Sequence, residues 1–118
     1  MGEWHVILND RILQRFWVEE GDTVRIGRGN MVDVNLDNTA ISRQHASIEM
    51  RNGKYFISDL KSTNGTRVNG KNITERVSVT GADRIEMAKF RLVPAAGSGD
   101  TYPPYAMVPE ADFDPASL

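Results

Sequence analysis

Apolar and polar residues alternate with a period of two along this chain, and a sustained 3.6-residue pattern never appears. Helical architectures are thereby excluded, and short strands joined by tight turns remain. Trp4 to Leu8, Ile12 to Val18 and Thr23 to Ile26 are β-branched or aromatic runs parted by Asn9-Asp10 and Glu20-Gly21-Asp22. Ala46 to Arg51 and Lys54 to Asp59 flank Asn52-Gly53, a strong hairpin signal because a type I′ turn needs positive φ at both central residues. A second Asn-Gly, at 69 and 70, joins Thr66-Arg67-Val68 to Lys71-Asn72-Ile73, and Arg76 to Val79, Ile85 to Met87 and Phe90 to Val93 complete the series. The pattern predicts an all-β sandwich of ten to eleven short, mainly antiparallel strands.

A chain of 118 residues with 40% hydrophobic content builds one core. With no cysteine there is no disulfide framework, no Cys-ligated metal and no thiol catalysis. No apolar stretch approaches the roughly 20 residues of a membrane helix, and Met-Gly-Glu-Trp-His lacks a signal peptide's basic and apolar regions, so a cytoplasmic protein without membrane attachment is expected. The net charge of -2 is unevenly spread: residues 1 to 97 carry all 14 bases against 12 acids, and residues 98 to 118 carry four acids and no base. So weakly basic a body does not fit a nucleic-acid binder, which needs many clustered phosphate contacts. One well-placed phosphate is within its means.

Four polar segments read as loops: 27 to 33, 37 to 45, 60 to 65 and 69 to 70. A sandwich gathers loops at its two ends, where residues distant in sequence converge on a rigid base. Arg28 and Arg43 offer planar forks of donors, Ser42 and Thr63 hydroxyls, and Asn64 an amide that donates and accepts. Donors that converge without an acid point to an anion. Phosphate suits them, since charge-assisted bonds contribute about 1.5 to 3 kcal/mol each.

At these residues the chain resembles the forkhead-associated (FHA) domain, a phosphothreonine-peptide reader. The resemblance covers about residues 3 to 93 and rests on Ile26-Gly27-Arg28, Ile41-Ser42-Arg43-Gln44-His45-Ala46, Asp59-Leu60-Lys61-Ser62-Thr63-Asn64-Gly65-Thr66 and Val68-Asn69-Gly70, followed by Gly81-Ala82-Asp83-Arg84-Ile85-Glu86-Met87. It implies an FHA-like phosphopeptide-binding domain at residues 1 to 94, acting as a non-catalytic signalling adaptor. Arg28 and Ser42 match the residues that hold the phosphate, and Arg43 a second phosphate or peptide contact. Thr63 matches a phosphate or backbone contact, and Asn64 the clamp on the ligand main chain. His45 matches a residue that structures the loops rather than touching the ligand; Gly27, Gly65, Asn69 and Gly70 belong with it. Asn69-Gly70 also reads as a plain hairpin turn, and Arg67 and Lys61 as either a solvated face or a tuning of ligand preference. A basic residue that in some relatives reads an acid three places after the phosphothreonine is here Ala40, so no demand for that acid is expected.

Other chemistries fit poorly. Gly27-Arg28-Gly29-Asn30-Met31-Val32 opens like a dinucleotide loop, but Val32 fills the last glycine position and no helical pattern follows. Ser42, His45 and Asp59 supply the residue types of a hydrolase triad without the nucleophile elbow. His5 and His45, read as lying on separate strands, give no metal site, and no EF-hand spacing occurs. The expected protein is thus not an enzyme and holds no metal or cofactor. Its partners are a phosphothreonine protein and, upstream, a Ser/Thr kinase.

From Pro94 the composition changes. Ala95-Ala96-Gly97-Ser98-Gly99-Asp100 resembles a linker, and Tyr102-Pro103-Pro104-Tyr105 cannot continue a sheet. Residues 95 to 118 read as an appended tail, either flexible or with Tyr102, Tyr105, Met107, Val108 and Phe113 packed on the body or a partner. Thr101 is a candidate phosphosite there, either occupying the pocket of its own or a neighbouring molecule or lying in an inert linker. A monomer is expected unless that tail is phosphorylated.

Overall fold

The computed structural model describes residues 2–95. Eleven strands lie among them: β1 (Glu3–Leu8), β2 (Arg11–Trp17), β3 (Thr23–Gly27), β4 (Val34–Asn35), β5 (Ala46–Arg51), β6 (Lys54–Asp59), β7 (Arg67–Val68), β8 (Lys71–Asn72), β9 (Val77–Val79), β10 (Ile85–Met87) and β11 (Phe90–Pro94). One sheet runs β2-β1-β11-β10-β7-β8 and the other β4-β3-β5-β6-β9. The expected all-β sandwich is what forms.

Turn chemistry sets the hairpins. Asn9 and Asp10 at φ 52° and 63°, Asn52 and Gly53 at 56° and 76°, and Asn69 and Gly70 at 55° and 85° are three two-residue turns with positive φ at both central positions. That backbone twist matches the twist of the flanking strands. The register across each is tight, with Leu8 opposite Arg11, Arg51 opposite Lys54 and Val68 opposite Lys71.

Period two then puts one face of each sheet inside. Trp4 and Val6 of β1, Ile26 of β3, Ile48 of β5 and Ile57 of β6 are fully buried in one core with Ile85, Met87 and Leu92. Trp4 spans the layers, stacking near Phe16 of its own sheet at 6.4 Å and meeting Tyr55 of the other edge-on at 5.0 Å.

One strand was not anticipated. β4 is two residues long and pairs parallel to β3, Ile26 opposite Val34 and Gly27 opposite Asn35. Two residues inside a polar loop carry no alternation to read, and a parallel partner is chosen by tertiary position. The pairing is held by Asp33, whose N–H donates to Arg25 O at 3.0 Å and whose carboxylate accepts the Arg25 N–H at 2.9 Å. Gln14 Nε2 donates to Asn35 O at 2.6 Å, joining the edge strands of the two sheets.

Strand direction decides where the polar loops go. β3 and β6 both run antiparallel to β5. The end of β3, the start of β5 and the end of β6 therefore share one edge of the sandwich, and the connections 28 to 33, 36 to 45 and 60 to 66 emerge there. Thr101 and the rest of the expected tail beyond Ala95 fall outside the described residues; the Ala95 N–H still donates to Glu3 O at 2.9 Å, continuing the β1–β11 ladder.

Candidate functional site

His45 is the centre of the loop edge. It is completely buried. It precedes β5 instead of lying on a strand, which corrects the sequence reading, and its N–H donates to Ile26 O at 2.9 Å. The Ser42 N–H donates to His45 Nδ1 at 3.0 Å, while His45 Nε2 lies 2.8 Å from Gly65 O. An acceptor at Nδ1 leaves the proton on Nε2, which donates to the Gly65 carbonyl. One imidazole thus ties the 36–45 loop to the 60–66 loop. His5, the other histidine, is buried in β1 with Nε2 2.8 Å from a Glu3 carboxylate oxygen.

Gly27 lets the first loop close on the second. A Cβ there would stand 2.0 Å from Arg43 O and 2.7 Å from Arg43 C, so only glycine permits this approach. Arg28 follows directly. Its N–H donates to Ser42 O at 3.0 Å and its Nε to Ile41 O at 3.0 Å. These two bonds orient the guanidinium and leave both terminal nitrogens without a hydrogen bond among the described residues.

Ser42, Thr63 and Asn64 are brought together by bonds between loops. The Thr63 N–H donates to Ser42 Oγ at 2.9 Å, and Asn64 Nδ2 donates to Ala40 O at 2.8 Å. Thr63, Asn64 and Arg43 are exposed, while Ser42 and Arg28 are half-buried. Asn64 thus holds the loops together through one N–H, and its side-chain carbonyl makes no hydrogen bond among the described residues. Arg28 and Arg43 form no ion pair among the described residues, unlike Arg15, Arg51, Arg67 and Arg76. Guanidinium groups without an ion pair among the described residues, on the same loops as two hydroxyls and an amide, have the chemistry to hold an anion.

The carboxylate that shapes the 60–66 loop is that of Asp59, and its bonds are made within that loop. Asp59 Oδ1 accepts the Ser62 hydroxyl at 2.6 Å and the Thr66 hydroxyl at 2.7 Å, and Oδ2 accepts the Ser62 N–H at 3.0 Å. Ser62 Oγ in turn accepts the Gly65 N–H at 2.9 Å. Burial raises the Asp59 pKa, but the hydrogen bonds from Ser62 and Thr66 outweigh it and hold the carboxyl below its ordinary value. Sequence reasoning gave Asp59, Ser62 and Thr66 no such role. The spacing of an Asp three residues before a Ser was the available signal, since an Asp side chain accepts backbone N–H groups in a turn that follows it.

Gly65 has φ 86°, and a Cβ on it would meet Asn72 Oδ1 at 2.5 Å, so its place beneath the Asn64 tip requires glycine. Asn69-Gly70 belongs elsewhere. Asn69 Nδ2 donates to Asp83 Oδ1 at 2.9 Å, its Oδ1 accepts the Arg84 N–H at 2.9 Å, and its own N–H donates to Arg84 O at 2.7 Å. It is a hairpin turn locked to the segment before β10. Arg67 is also turned away, its Nη2 donating to Ala88 O at 2.7 Å and its Nε lying 3.8 Å from Glu86. Lys61 is exposed, with a left-handed φ of 59°.

Known proteins are similar to this chain in sequence and in fold. The chain is 37% identical over 86 residues to an oxoglutarate dehydrogenase inhibitor of Corynebacterium glutamicum, covering 73% of this chain and 59% of that protein. The structure superposes on the FHA domain of the CT664 protein of Chlamydia trachomatis with a TM-score of 0.73 at 26% identity, covering 81% of this chain and 97% of that one. It also superposes on an FHA domain solved in an analysis of phosphothreonine-dependent FHA interactions, with a TM-score of 0.67 at 26% identity over 80% of this chain and 97% of that one. Since the FHA domain family model matches residues 24–88, spanning the three loops that His45 and Gly27 hold together, the chain belongs to the FHA domain family.

Proposed function

We propose that the loop edge binds a phosphothreonine segment of a partner protein and that the domain is a regulatory adaptor, not an enzyme. The observation that carries this reading is the pair Arg28 and Arg43: oriented or exposed, free of ion pairs among the described residues, and set beside Ser42, Thr63 and Asn64. Arg28 and Ser42 take the phosphate, Arg43 and Thr63 add a phosphate or backbone contact, and Asn64 uses its side-chain amide on the ligand main chain. His45, Asp59, Gly27 and Gly65 preset the loops. A preset site forfeits less ordering entropy on binding. The phosphate implies an upstream Ser/Thr kinase, and cytoplasmic residence accords with that reading. Without a base at Ala40, selection for an acid three places after the phosphothreonine is not expected.

Isothermal titration of one peptide in phosphothreonine, phosphoserine and unmodified forms tests the proposal. Binding should require the phosphate, favour threonine, and weaken roughly 10- to 100-fold in Arg28→Ala, the loss of one charge-assisted pair. Equal affinity for modified and unmodified peptide would refute it.

A further inference from the structure

Three large apolar side chains stand exposed among the described residues: Leu13 at 48%, Trp17 at 53% and Met31 at 80%. Single exposed apolar residues are ordinary on a protein surface, and Leu13 and Trp17 belong to β2, the edge strand of the first sheet. Met31 is placed differently. It follows Arg28 by three residues, in the connection from β3 to β4 at the loop edge, and it belongs to neither hydrophobic cluster. That connection is pinned on both sides of it. The Arg28 N–H donates to Ser42 O, Asn35 Nδ2 donates to Gly29 O at 2.6 Å, and Asp33 exchanges two bonds with the Arg25 backbone.

Strand order then fixes where Met31 stands relative to the other loop residues. The second sheet runs β4-β3-β5-β6, so the connection bearing Met31 lies at one end of the row, Ser42 before β5 in the middle, and Thr63 and Asn64 after β6 at the other end. At about 4.8 Å per strand the row from β4 to β6 measures roughly 14 Å, the length of about four extended residues. The three residues from Arg28 to Met31 span at most about 11 Å of chain.

We propose that Met31 is a specificity-determining contact, receiving an apolar side chain of the bound segment that lies within about four residues of the phosphothreonine and on one side of it only. This rests on the phosphothreonine reading given above. A segment held by its phosphate at Arg28 and Ser42 and by its main chain at Asn64 crosses the row of loops, and its end nearer β4 passes Met31. The phosphate contacts read a group that every phosphothreonine protein carries. Selection among such proteins needs a further contact, and an exposed apolar side chain on a pinned loop supplies one. A thioether chain is unbranched and polarizable, so Met31 suits aliphatic and aromatic partners alike and selects apolar character instead of one shape.

The test is selection on the full chain from a peptide library with phosphothreonine fixed and about four positions randomised on each side, beside its unphosphorylated counterpart. Wild type should enrich Leu, Ile, Met or Phe on a single side of the phosphothreonine. Met31→Gln, with Met31→Ala as a second variant, should lose that enrichment and still require the phosphate. In titrations, alanine in place of the enriched peptide residue should weaken binding to wild type about tenfold and to Met31→Gln less than about twofold. Both variants should melt with wild type, since the side chain lies outside the core. Phosphate-dependent binding without apolar enrichment, or with an enrichment that both variants retain, overturns this inference alone. Binding that ignores the phosphate overturns the phosphothreonine reading and this inference with it.

Discussion

The backbone N–H of Ser42 donates to Nδ1 of the buried His45 at 3.0 Å, and that single bond fixes the histidine's proton on Nε2, where it reaches Gly65 O at 2.8 Å. The residue placed by the resemblance in the phosphate contact and the residue placed beneath it are one unit. Losing His45 leaves the half-buried Ser42 N–H and Gly65 carbonyl without their partner, at about 1 to 2 kcal/mol each. His45→Ala is expected to cost about 2 to 4 kcal/mol in urea unfolding and to loosen amide exchange at both Ser42 and Gly65.

Ser42→Ala separates binding from folding. It removes the acceptor of the Thr63 N–H, a bond between exposed or half-buried groups, so stability should fall by about 1 kcal/mol or less. Phosphopeptide affinity should fall at least tenfold, since a ligand contact and the Thr63 position are lost together. Parallel thermal melts and titrations check the split; a loss of stability as large as the loss of affinity would make Ser42 a folding residue only.

Gly27→Ala places a methyl 2.0 Å from Arg43 O. Backbone must yield, at a cost of about 1 to 3 kcal/mol or more, and the displacement falls on the segment that carries Ser42 and Arg43. Ala88→Gly should act in the opposite sense. Ala88 sits at φ 54° in the β10–β11 turn, a conformation that costs a non-glycine residue roughly 1 to 2 kcal/mol. A gain of about 0.5 to 1 kcal/mol remains after glycine's greater unfolded entropy, measurable by denaturant midpoint.

Stability should also decline in acid through Asp59. Its folded pKa is below the ordinary aspartate value, despite burial, because Ser62 and Thr66 donate to the charged form. A depressed carboxyl contributes stability that is fully present above the unfolded pKa and is lost as pH falls through the folded one. The decline therefore belongs below about pH 4. Asp83, lowered first by the Asn69 amide and then by Thr80, adds to it in the same window. Unfolding free energies of wild type and Asp59→Asn should converge as pH drops from 5 to 2.

Much of the fold was legible because it is local. Asn52-Gly53 dictates its own hairpin, and alternation from Ala46 to Asp59 assigns each side chain a face, so strand ends there agreed with the structure to the residue. Elsewhere ends moved by about one position, as at Arg11, where the turn residues Asn9 and Asp10 let pairing start earlier. β4 was invisible because Val34-Asn35 has no pattern of its own.

The candidate site divides the same way. Residue chemistry alone marked Arg28, Ser42, Arg43, Thr63 and Asn64 as convergent donors, since nothing local uses them. Which bonds orient them is a matter of distance between segments up to 24 residues apart, as in Asn64 on Ala40. Asp59 was read as a motif residue and is the anchor of a loop, and Asn69 was grouped with the loops and is anchored to Asp83. The sequence by itself determined the strands, the turns and the inventory of anion-binding groups, because each depends on neighbours along the chain. Only the tertiary structure decided that His45 carries its proton on Nε2, that Gly27 lies against Arg43, and that Asn69 is locked to Asp83, because those depend on chain that arrives from elsewhere.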